Sequence, residues 1–534
     1  MNQKYKSVYF PDYPAETSSQ KALTLAFGNR SEDIYQDIHA LSSAEIRQLL
    51  GSDSYQTLLD TASRQGTPLN TYCLNQIRDA VTYLRKSSAQ LQLWEVEPEL
   101  RIFDPVTATF KAGAQAPFVR WYPYLEGYSP QFVETVLSTY APNARRVLDP
   151  FAGTGTTAFV AASLGKQAFY CEVNPVLQFM IDVKARVRLL HADLRRMLAA
   201  ELVATITTLP ADIAQCPPTA DLDASFRATF GDSRYFSEAT FTHILQIRAW
   251  IDALHLRDPL LADVITVGAL ATLIPTSLMT RAGDLRFKTV QESRQPVASP
   301  ITTLEMKLRE IANDIRSDLE GIGTEPLLIA ESAHSLDKLP PLAIDAVITS
   351  PPYVNGTNYF RNTKIELWFL RCLRTRQDLA RYRAAAITAG INDVTVANTI
   401  HSSSPGVRRV VETLAQHSYD VRIPRMIDTY FADLEAVFAS LANHLTPAAT
   451  IAIDIGDSAY AGVHVPVDEL LVEVMDPLGF ERSAVVPLRQ RKSRSGAPLK
   501  QVLLVFKHKP VRLFPAALAT AAPAWKPAWH VFKT

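Results

Sequence analysis

Two short segments of this 534-residue chain carry residue types whose spacing could do chemistry. The first is glycine-rich and runs from Asp149 through Gly153 and Gly155 to Thr157. Because glycine lacks a Cβ, such a loop lets a ligand approach the backbone closely. Glu172 lies 23 residues after Asp149, near the ~20-residue spacing at which an acid can hold ribose hydroxyls. The segment therefore predicts a nucleotide-like ligand, and the alternative is a plain turn with two glycines.

The glycine-rich loop also narrows the class of ligand. It lacks the Lys-Ser/Thr pair of phosphate-cradling loops, and it lacks the strict Gly-x-Gly-x-x-Gly pattern of NAD sites. ATP and NAD are therefore disfavoured. A cofactor with a ribose but no phosphates fits better, and we predict S-adenosyl-L-methionine.

The second segment, Ser350-Pro351-Pro352-Tyr353, follows a short apolar run. Its two prolines make the loop rigid, because each fixes φ and removes a backbone N–H. The carbonyls of Ser350 and Pro351 can then face a cleft and accept hydrogens from an exocyclic amine. The ring of Tyr353 can stack on a planar base. The alternative is a rigid turn whose aromatic ring only fills space. We disfavour it because the segment is predicted to follow a strand's carboxyl end, in the same sheet as the glycine-rich loop.

Strands and helices must bring both loops to one edge of a sheet. Hydrophobic patterns predict strands at 146–149, 167–172, 343–349, 450–455, 484–488 and 501–507, and helices at 159–164, 430–445 and 470–478. This alternation predicts an α/β fold with a mainly parallel sheet. Helical patterns at 192–204, 238–254 and 304–319 predict a large helical insertion, and those at 42–59 and 72–84 predict a helical N-terminal region.

These patterns divide the chain into five parts. We predict a helical N-terminal region (1–116), the cofactor half of the core (117–189), a helical insertion (190–325), the catalytic half of the core (326–509) and a C-terminal tail (510–534).

Composition excludes several classes of protein. Lys+Arg and Asp+Glu both total 54, which argues against a polycation that coats nucleic acid by bulk charge. The first residues contain no apolar core of a signal peptide, and the uncharged run 264–280 is shorter than the ~20 residues of a membrane span. We expect that run to be a buried helix. The four cysteines show neither metal-ligand spacing nor a disulfide framework. We therefore predict a reduced, cytoplasmic protein with no metal site.

Together, the two loops resemble the S-adenosylmethionine-dependent DNA amino-methyltransferases, which modify cytosine N4 or adenine N6. Asp149-Pro-Phe-Ala-Gly-Thr-Gly-Thr-Thr157 is similar to the cofactor motif of that family, and Thr349-Ser-Pro-Pro-Tyr353 to its catalytic motif. The Ser-first form is usual for cytosine N4 enzymes. The segment 121–130 resembles the family's segment before the cofactor strand. The resemblance covers roughly 117–189 and 326–508 and implies a Rossmann-like methyltransferase fold, with the insertion as the candidate target-recognition region.

The resemblance assigns roles to individual residues. The catalytic residues would be Ser350, Pro351, Pro352 and Tyr353. The cofactor-binding residues would be Trp121, Tyr122, Asp149, Phe151, Ala152, Gly153, Thr154, Gly155, Thr156, Thr157, Glu172, Val173, Glu331, Ser332 and Ser350, with Glu331 or Ser332 as alternatives for one adenine contact. Double-stranded DNA would be the substrate, with its target base flipped out. The role would be epigenetic or in restriction and modification, the latter beside a cognate restriction endonuclease.

Basic segments provide candidate DNA contacts. The first contains Arg489, Arg491, Lys492 and Arg494, predicted to lie on an exposed loop between two strands, and the second contains Arg281, Arg286 and Lys288 around an aromatic residue. Five arginines at 371–383 form a third candidate. The alternative for each is a solvated charged surface. Alternatives to the whole function are an adenine N6 methyltransferase, a methyltransferase of RNA or protein amines, and a non-catalytic DNA-binding subunit.

Overall fold

The structure is a computed structural model that describes residues 103–509, except 104–105, 125, 283, 295–296, 356–358, 395–400, 494–495 and 497. The helices predicted at 42–59 and 72–84 and the tail 510–534 lie outside the described residues. The division into five parts stays a prediction.

A seven-stranded sheet forms the centre of the described fold. The strands are β1 (Arg146–Asp149), β2 (Gln167–Cys171), β3 (Met279–Ala282), β4 (Asp284–Phe287), β5 (Leu327–Ala330), β6 (Ile344–Thr349), β7 (Leu445–Gly456), β8 (Ser458–Tyr460), β9 (Val463–Val465), β10 (Phe480–Lys492) and β11 (Pro498–His508). The sheet has the order β5-β2-β1-β6-β7-β11-β10, whereas β3–β4 and β8–β9 are separate antiparallel pairs. Only β11 runs against its neighbours in the sheet. The α/β fold with a mainly parallel sheet is therefore confirmed.

The order of the strands defines one switch point. Strands β2 and β5 follow on one side of β1, whereas β6 and then β7 follow on its other side. β1 and β6 are adjacent and parallel, so their carboxyl ends diverge into a crevice. Ligands of open α/β sheets bind at such a crevice. The glycine-rich loop follows β1 and the Ser-Pro-Pro-Tyr loop follows β6, which places both at this point.

Fifteen α-helices occur among the described residues. They are α1 (Phe110–Gly113), α2 (Pro130–Tyr140), α3 (Thr156–Ser163), α4 (Pro175–Leu189), α5 (Ala192–Ala214), α6 (Ala220–Phe230), α7 (Glu238–His255), α8 (Pro259–Leu273), α9 (Pro300–Ser317), α10 (Tyr359–Asn362), α11 (Lys364–Phe369), α12 (Asp378–Ala384), α13 (Pro405–His417), α14 (Arg422–Ala442) and α15 (Val467–Met475).

Helices α5 to α9 and the β3–β4 hairpin lie between β2 and β5 in the chain. Their core is centred on α8, which is buried throughout from Leu261 to Leu273. This agrees with the buried helix expected in 264–280, although the helix ends at Leu273 and a strand follows. Among the described helices only α5 is long and apolar enough to cross a membrane. That is weak evidence for a span, because α5 packs a stripe of apolar residues into the same core.

Two helices begin at the edge of the sheet where the loops lie. Gly155, with φ of 84°, precedes α3 and lets the chain turn from the loop into the helix. Asn174 caps α4 by accepting a hydrogen bond from the Val176 N–H, and Pro175 occupies the first helical position. These local signals fix the directions in which the chain leaves β1 and β2.

Candidate active site

A cavity of about 480 Å³ opens at the carboxyl ends of the parallel strands. It is lined by the loops after β1, β2, β5 and β6 and by four residues of the neighbouring strands, which are Asp454 of β7, Arg489 and Arg491 of β10 and Gln501 of β11. The lining residues that the sequence predicted are Phe151, Ala152, Gly153, Thr154, Thr156, Glu172, Val173, Glu331, Ser332, Ser350, Pro351, Pro352, Tyr353, Arg489 and Arg491. The two loops thus share one cavity.

The glycine-rich loop is shaped by a residue that sequence reasoning missed. Gly153 has a φ of 56°, and a Cβ at this position would lie 3.2 Å from the ring of Tyr124. The Gly153 N–H donates to Glu172 Oε2 at 2.8 Å. The loop is therefore held between an aromatic ring and a carboxylate, and glycine fits the narrow space between them.

Glu172 joins the loops after β1 and β2. Its Oε1 accepts a hydrogen bond of 2.8 Å from the Asn174 N–H, and its Oε2 accepts the bond from Gly153. Burial raises the pKa of the carboxyl to about 8, although both backbone bonds favour the charged form. Glu172 therefore faces the cavity as a carboxyl that a hydroxyl donor could help to ionise.

We expect the pH to control cofactor affinity through Glu172. If ribose hydroxyls donate to the ionised carboxylate, binding lowers its pKa, and affinity then rises as pH approaches about 8 and levels off above it. The rise is roughly tenfold per pH unit where the bound form stays ionised. Calorimetry in buffers of different ionisation enthalpy measures the released proton. The variant Glu172→Gln should bind weakly with no such pH dependence, and an unchanged slope in this variant would contradict the assignment.

Asp149 does not line the cavity but ties the two loops together from below. Its Oδ1 accepts hydrogen bonds from the Thr349 hydroxyl at 2.6 Å and from the Phe151 N–H at 3.0 Å. Its Oδ2 accepts from the Tyr128 hydroxyl at 3.2 Å. Burial raises the pKa of the carboxyl to about 6, against the effect of these bonds. Asp149, which was predicted to contact the cofactor, thus lies behind the cavity wall and positions both loops.

Tyr128 and Thr157 complete this connection. The Tyr128 hydroxyl lies 2.6 Å from the Thr157 hydroxyl, and Thr157 donates to the Ile348 carbonyl at 3.2 Å. Thr157 and Gly155 were predicted to bind the cofactor, but neither lines the cavity. Both residues shape the loop, Thr157 through these bonds and Gly155 because a Cβ at this position would lie only 2.8 Å from the Ile181 side chain.

The Ser-Pro-Pro-Tyr loop is anchored through its tyrosine. The Tyr353 hydroxyl donates to Asp454 Oδ1 at 3.0 Å, and the Arg491 guanidinium lies 5.2 Å from the centre of the Tyr353 ring. Burial raises the pKa of Tyr353 well above its usual range, so the hydroxyl keeps its proton. Burial also raises the pKa of Asp454 to about 6. Sequence analysis placed Asp454 and its partner Gln501 only within predicted strands, at 450–455 and 501–507, and not in the site.

The segment before β1 contributes different residues from those predicted. Trp121 and Tyr122 do not line the cavity; the Trp121 indole donates to Asp314 at 3.0 Å and the Tyr122 hydroxyl donates to Glu366 at 3.2 Å. Both side chains are buried against the insertion. Tyr124, from the same segment, lines the cavity instead. Tyr124 is therefore the residue of this segment that we expect to contact the cofactor.

Both alternatives for the adenine contact lie in the cavity wall after β5. Ser332 uses its hydroxyl to donate to the Ala385 carbonyl at 2.6 Å and to accept from the His334 N–H. Because Ser332 has these structural partners, its neighbour Glu331 is the better candidate for a ligand contact.

The predicted DNA contacts on and after the β3–β4 hairpin all bond to other groups of the protein. Arg281 is largely buried and bonds to Glu366 and to the Tyr122 hydroxyl, which favours a structural role. Arg286 pairs with Glu292, and Lys288 donates to the Ser277 carbonyl at 2.7 Å. The remaining predicted contacts that the structure describes are Arg489, Arg491 and Lys492, and Arg494 lies outside the described residues.

The setting of the β10 cations differs from the prediction. Strand β10 continues to Lys492, so Arg489, Arg491 and Lys492 lie on a strand and the prediction of a loop there is wrong. Arg489 and Lys492 are exposed, whereas Arg491 is half-buried and donates to the Asp457 carbonyl at 3.0 Å. Arg491 therefore belongs to the cavity wall more than to a DNA-facing surface.

Known proteins with similar sequences are Type II methyltransferases. The chain is 23% identical over 469 residues to the Type II methyltransferase M.BsoBI of Geobacillus stearothermophilus, a match that covers 79% of this chain and 89% of that protein. It is 24% identical over 419 residues to the Type II methyltransferase M.AvaI of Nostoc sp. and, to the same extent, of Anabaena variabilis; these matches cover 72% of this chain and 84% of each relative. No protein-family model and no solved structure matches the chain. The relatives therefore support a methyltransferase family for this protein.

Proposed function

We propose that the protein is an S-adenosylmethionine-dependent DNA methyltransferase that modifies the N4 amine of a flipped cytosine. The observation that carries the proposal is the shared cavity at the switch point, which both the glycine-rich loop and the Ser-Pro-Pro-Tyr loop line. The Asp149–Thr349 hydrogen bond holds the two loops in register. The relationship to Type II methyltransferases supports the same reaction class.

The residues of the cavity fit the proposed cofactor. The volume of about 480 Å³ suits a ligand of this size. Glu172 and Glu331 offer acceptors for ribose or amine hydrogens, and Phe151 and Val173 offer apolar surface for an adenine ring. When bound, S-adenosylmethionine supplies a methyl group on a positively charged sulfur.

The catalytic loop would act by alignment and by hydrogen-bond acceptance. A flipped base costs a few kcal/mol to unstack, and stacking on Tyr353 would recover part of that cost. The carbonyls of Ser350 and Pro351 would accept the amine hydrogens, which directs the nitrogen lone pair at the methyl group and stabilises the positive charge that develops on nitrogen.

No thiolate is required in this mechanism. Cys171 is the cysteine that lines the cavity among the described residues, and burial raises the pKa of its thiol. A protonated, buried thiol is a poor nucleophile. This favours direct attack by an amine over covalent chemistry at cytosine C5.

The Ser-first catalytic loop favours cytosine N4 over adenine N6. Transfer of a radiolabelled methyl group to duplex DNA, followed by mass spectrometry of the nucleosides, tests the proposal. We expect N4-methylcytosine. N6-methyladenine would establish the alternative, and label confined to RNA or protein would overturn the DNA assignment. A DNA methyltransferase of this kind would work in the cytoplasm, as an epigenetic enzyme or beside a cognate endonuclease.

Lys492 provides a test of DNA contact that is separate from catalysis. Its side chain is exposed at the end of β10, and we expect Lys492→Gln to weaken binding to all DNA sequences alike. The slope of log affinity against log salt should become shallower by about 0.9, because one phosphate contact is lost. The matched control is Arg316→Gln, an exposed cation on α9. An effect confined to one DNA sequence would contradict a phosphate contact.

A further inference from the structure

A chain of side-chain hydrogen bonds connects an exposed cation to the catalytic loop. Arg489 Nε donates to Gln501 Oε1 at 2.6 Å, Gln501 Nε2 donates to Asp454 Oδ1 at 2.7 Å, and the Tyr353 hydroxyl donates to the same Oδ1 at 3.0 Å. The three bonds link strands β10, β11 and β7 to the loop after β6.

A β-bulge produces this alignment. Pro487 pairs with Val502 in the sheet, but the next pair is Arg489 with Gln501, so Leu488 is an extra residue in β10. Without the bulge, Leu488 would stand opposite Gln501. Bulges redirect side chains and are frequent beside active sites. Here the bulge places a guanidinium where a continuous strand would place a buried leucine.

The middle of this hydrogen-bond chain is buried and directional. Asp454 and Gln501 are buried, with 3% and 1% of their surface exposed, whereas Arg489 is exposed and lines the cavity. The Gln501 amide has one acceptor and one donor side, and its two neighbours require that order: Arg489 only donates, and ionised Asp454 only accepts. Buried networks with every member satisfied are rigid. We therefore expect a change at Arg489 to alter the positions of Asp454 and Tyr353.

We propose that Arg489 binds a backbone phosphate beside the flipped nucleotide and, through Gln501 and Asp454, sets the position of Tyr353. The inference rests on the proposed function and adds a coupling between DNA contact and methyl transfer. Gln501 and Asp454 are then positioning residues. Arg489 has two tasks, a charge for the phosphate and an Nε–H for Gln501, and a lysine could perform only the first.

Single-turnover methyl transfer to duplex DNA separates these tasks. We expect Gln501→Leu to lower the transfer rate by about 10- to 100-fold, as a small misplacement of catalytic groups does, with DNA and cofactor Kd within about threefold. Arg489→Lys should retain DNA affinity and show a similar loss of rate. The double variant should be no slower than Gln501→Leu alone, because both changes break the same chain of hydrogen bonds. Arg482→Lys is the control, because Arg482 lies on the same strand but takes no part in this chain of hydrogen bonds.

A second variant guards against a merely structural effect of the leucine. Gln501→Glu keeps the shape and accepts from Arg489, but it places a second carboxyl next to Asp454. The other groups that face Asp454 are Tyr353, Tyr128, Arg489 and Arg491. Ionised Asp454 accepts from the Tyr353 hydroxyl, so we expect kcat to fall when Asp454 is protonated at acid pH. Adjacent carboxyls hold a proton more tightly, so in Gln501→Glu this fall should shift to higher pH. A structural role alone would leave the pH profile unchanged.

The outcomes distinguish the two proposals. If the wild-type protein transfers no methyl group to DNA, the proposed function fails. If the wild-type protein is active while Gln501→Leu keeps its rate, or while Arg489→Lys and Gln501→Leu add independently, the coupling is overturned and the function stands. Loss of rate, non-additivity and the shifted pH profile together support the coupling.

Discussion

Tyr353→Ala is expected to lower the rate of methyl transfer by about a thousandfold while leaving cofactor affinity nearly unchanged. A base that no longer stacks on an aromatic ring loses ~1–3 kcal/mol of stabilisation. Misalignment of the amine with the methyl group lowers the rate by roughly a further hundredfold. The variant also removes the donor to Asp454. Single-turnover assays with labelled cofactor measure the rate, and calorimetry measures cofactor binding. Pro352→Ala, which loosens the same loop, should act in the same direction.

Tyr353→Phe is the matched control for the ring. It retains the stacking surface and removes only the hydroxyl, so its rate should fall between wild type and Tyr353→Ala. Full activity in Tyr353→Ala would overturn the proposed mechanism. A loss of cofactor affinity equal to the loss of rate would place Tyr353 in the cofactor site instead.

Gly153→Val is expected to weaken cofactor binding by about a hundredfold. A β-branched residue at the observed φ of 56° is strained, and backbone strain of this kind costs roughly 1–3 kcal/mol. The new Cβ would also press on the Tyr124 ring, 3.2 Å away. The loop would move, and the Gly153 N–H would leave Glu172. Calorimetric titration with S-adenosylmethionine measures the effect.

Gly323→Val is the control for this substitution. Nothing lies within 4 Å of a Cβ at Gly323, and its φ is not in the left-handed region. We expect wild-type affinity and thermal stability in this variant. Unchanged cofactor affinity in Gly153→Val, with the protein folded, would exclude the glycine-rich loop from the cofactor site.

The sequence predicted the inner strands well because they are buried on both faces. The strand expected at 343–349 is observed as β6, from Ile344 to Thr349, and five of its six residues are buried. The edge strand β10 is different. It runs from Phe480 to Lys492, although only 484–488 was predicted, because its ends carry exposed charged residues that resemble a loop. Charges are typical of edge strands, where they discourage pairing with other chains.

The site was predictable where a residue acts through its own backbone or motif, and not where it depends on distant partners. Gly153 and Ser350 follow directly from local chemistry. Tyr124 could not be chosen over Trp121, because the choice depends on Asp314, which lies 193 residues from Trp121 in the sequence and accepts its indole N–H. Gln501 is an ordinary strand residue until the sheet places it between Asp454 and Arg489.

The insertion is joined to the core by two ion pairs, one of which is largely buried, and this limits how it can be exchanged between enzymes. Asp314 of α9 pairs with Arg120, and Arg281 of β3 pairs with Glu366. A graft of 190–325 from a protein without equivalents of Asp314 and Arg281 would leave Arg120 and Glu366 without these partners. Glu366 is fully buried, and a broken buried pair costs about 3–5 kcal/mol. The partly exposed Arg120 would lose less. The loss at Glu366 alone is a large part of the ~5–15 kcal/mol that holds a domain folded. A transplant intended to change target specificity therefore has to carry Arg120 and Glu366 with it.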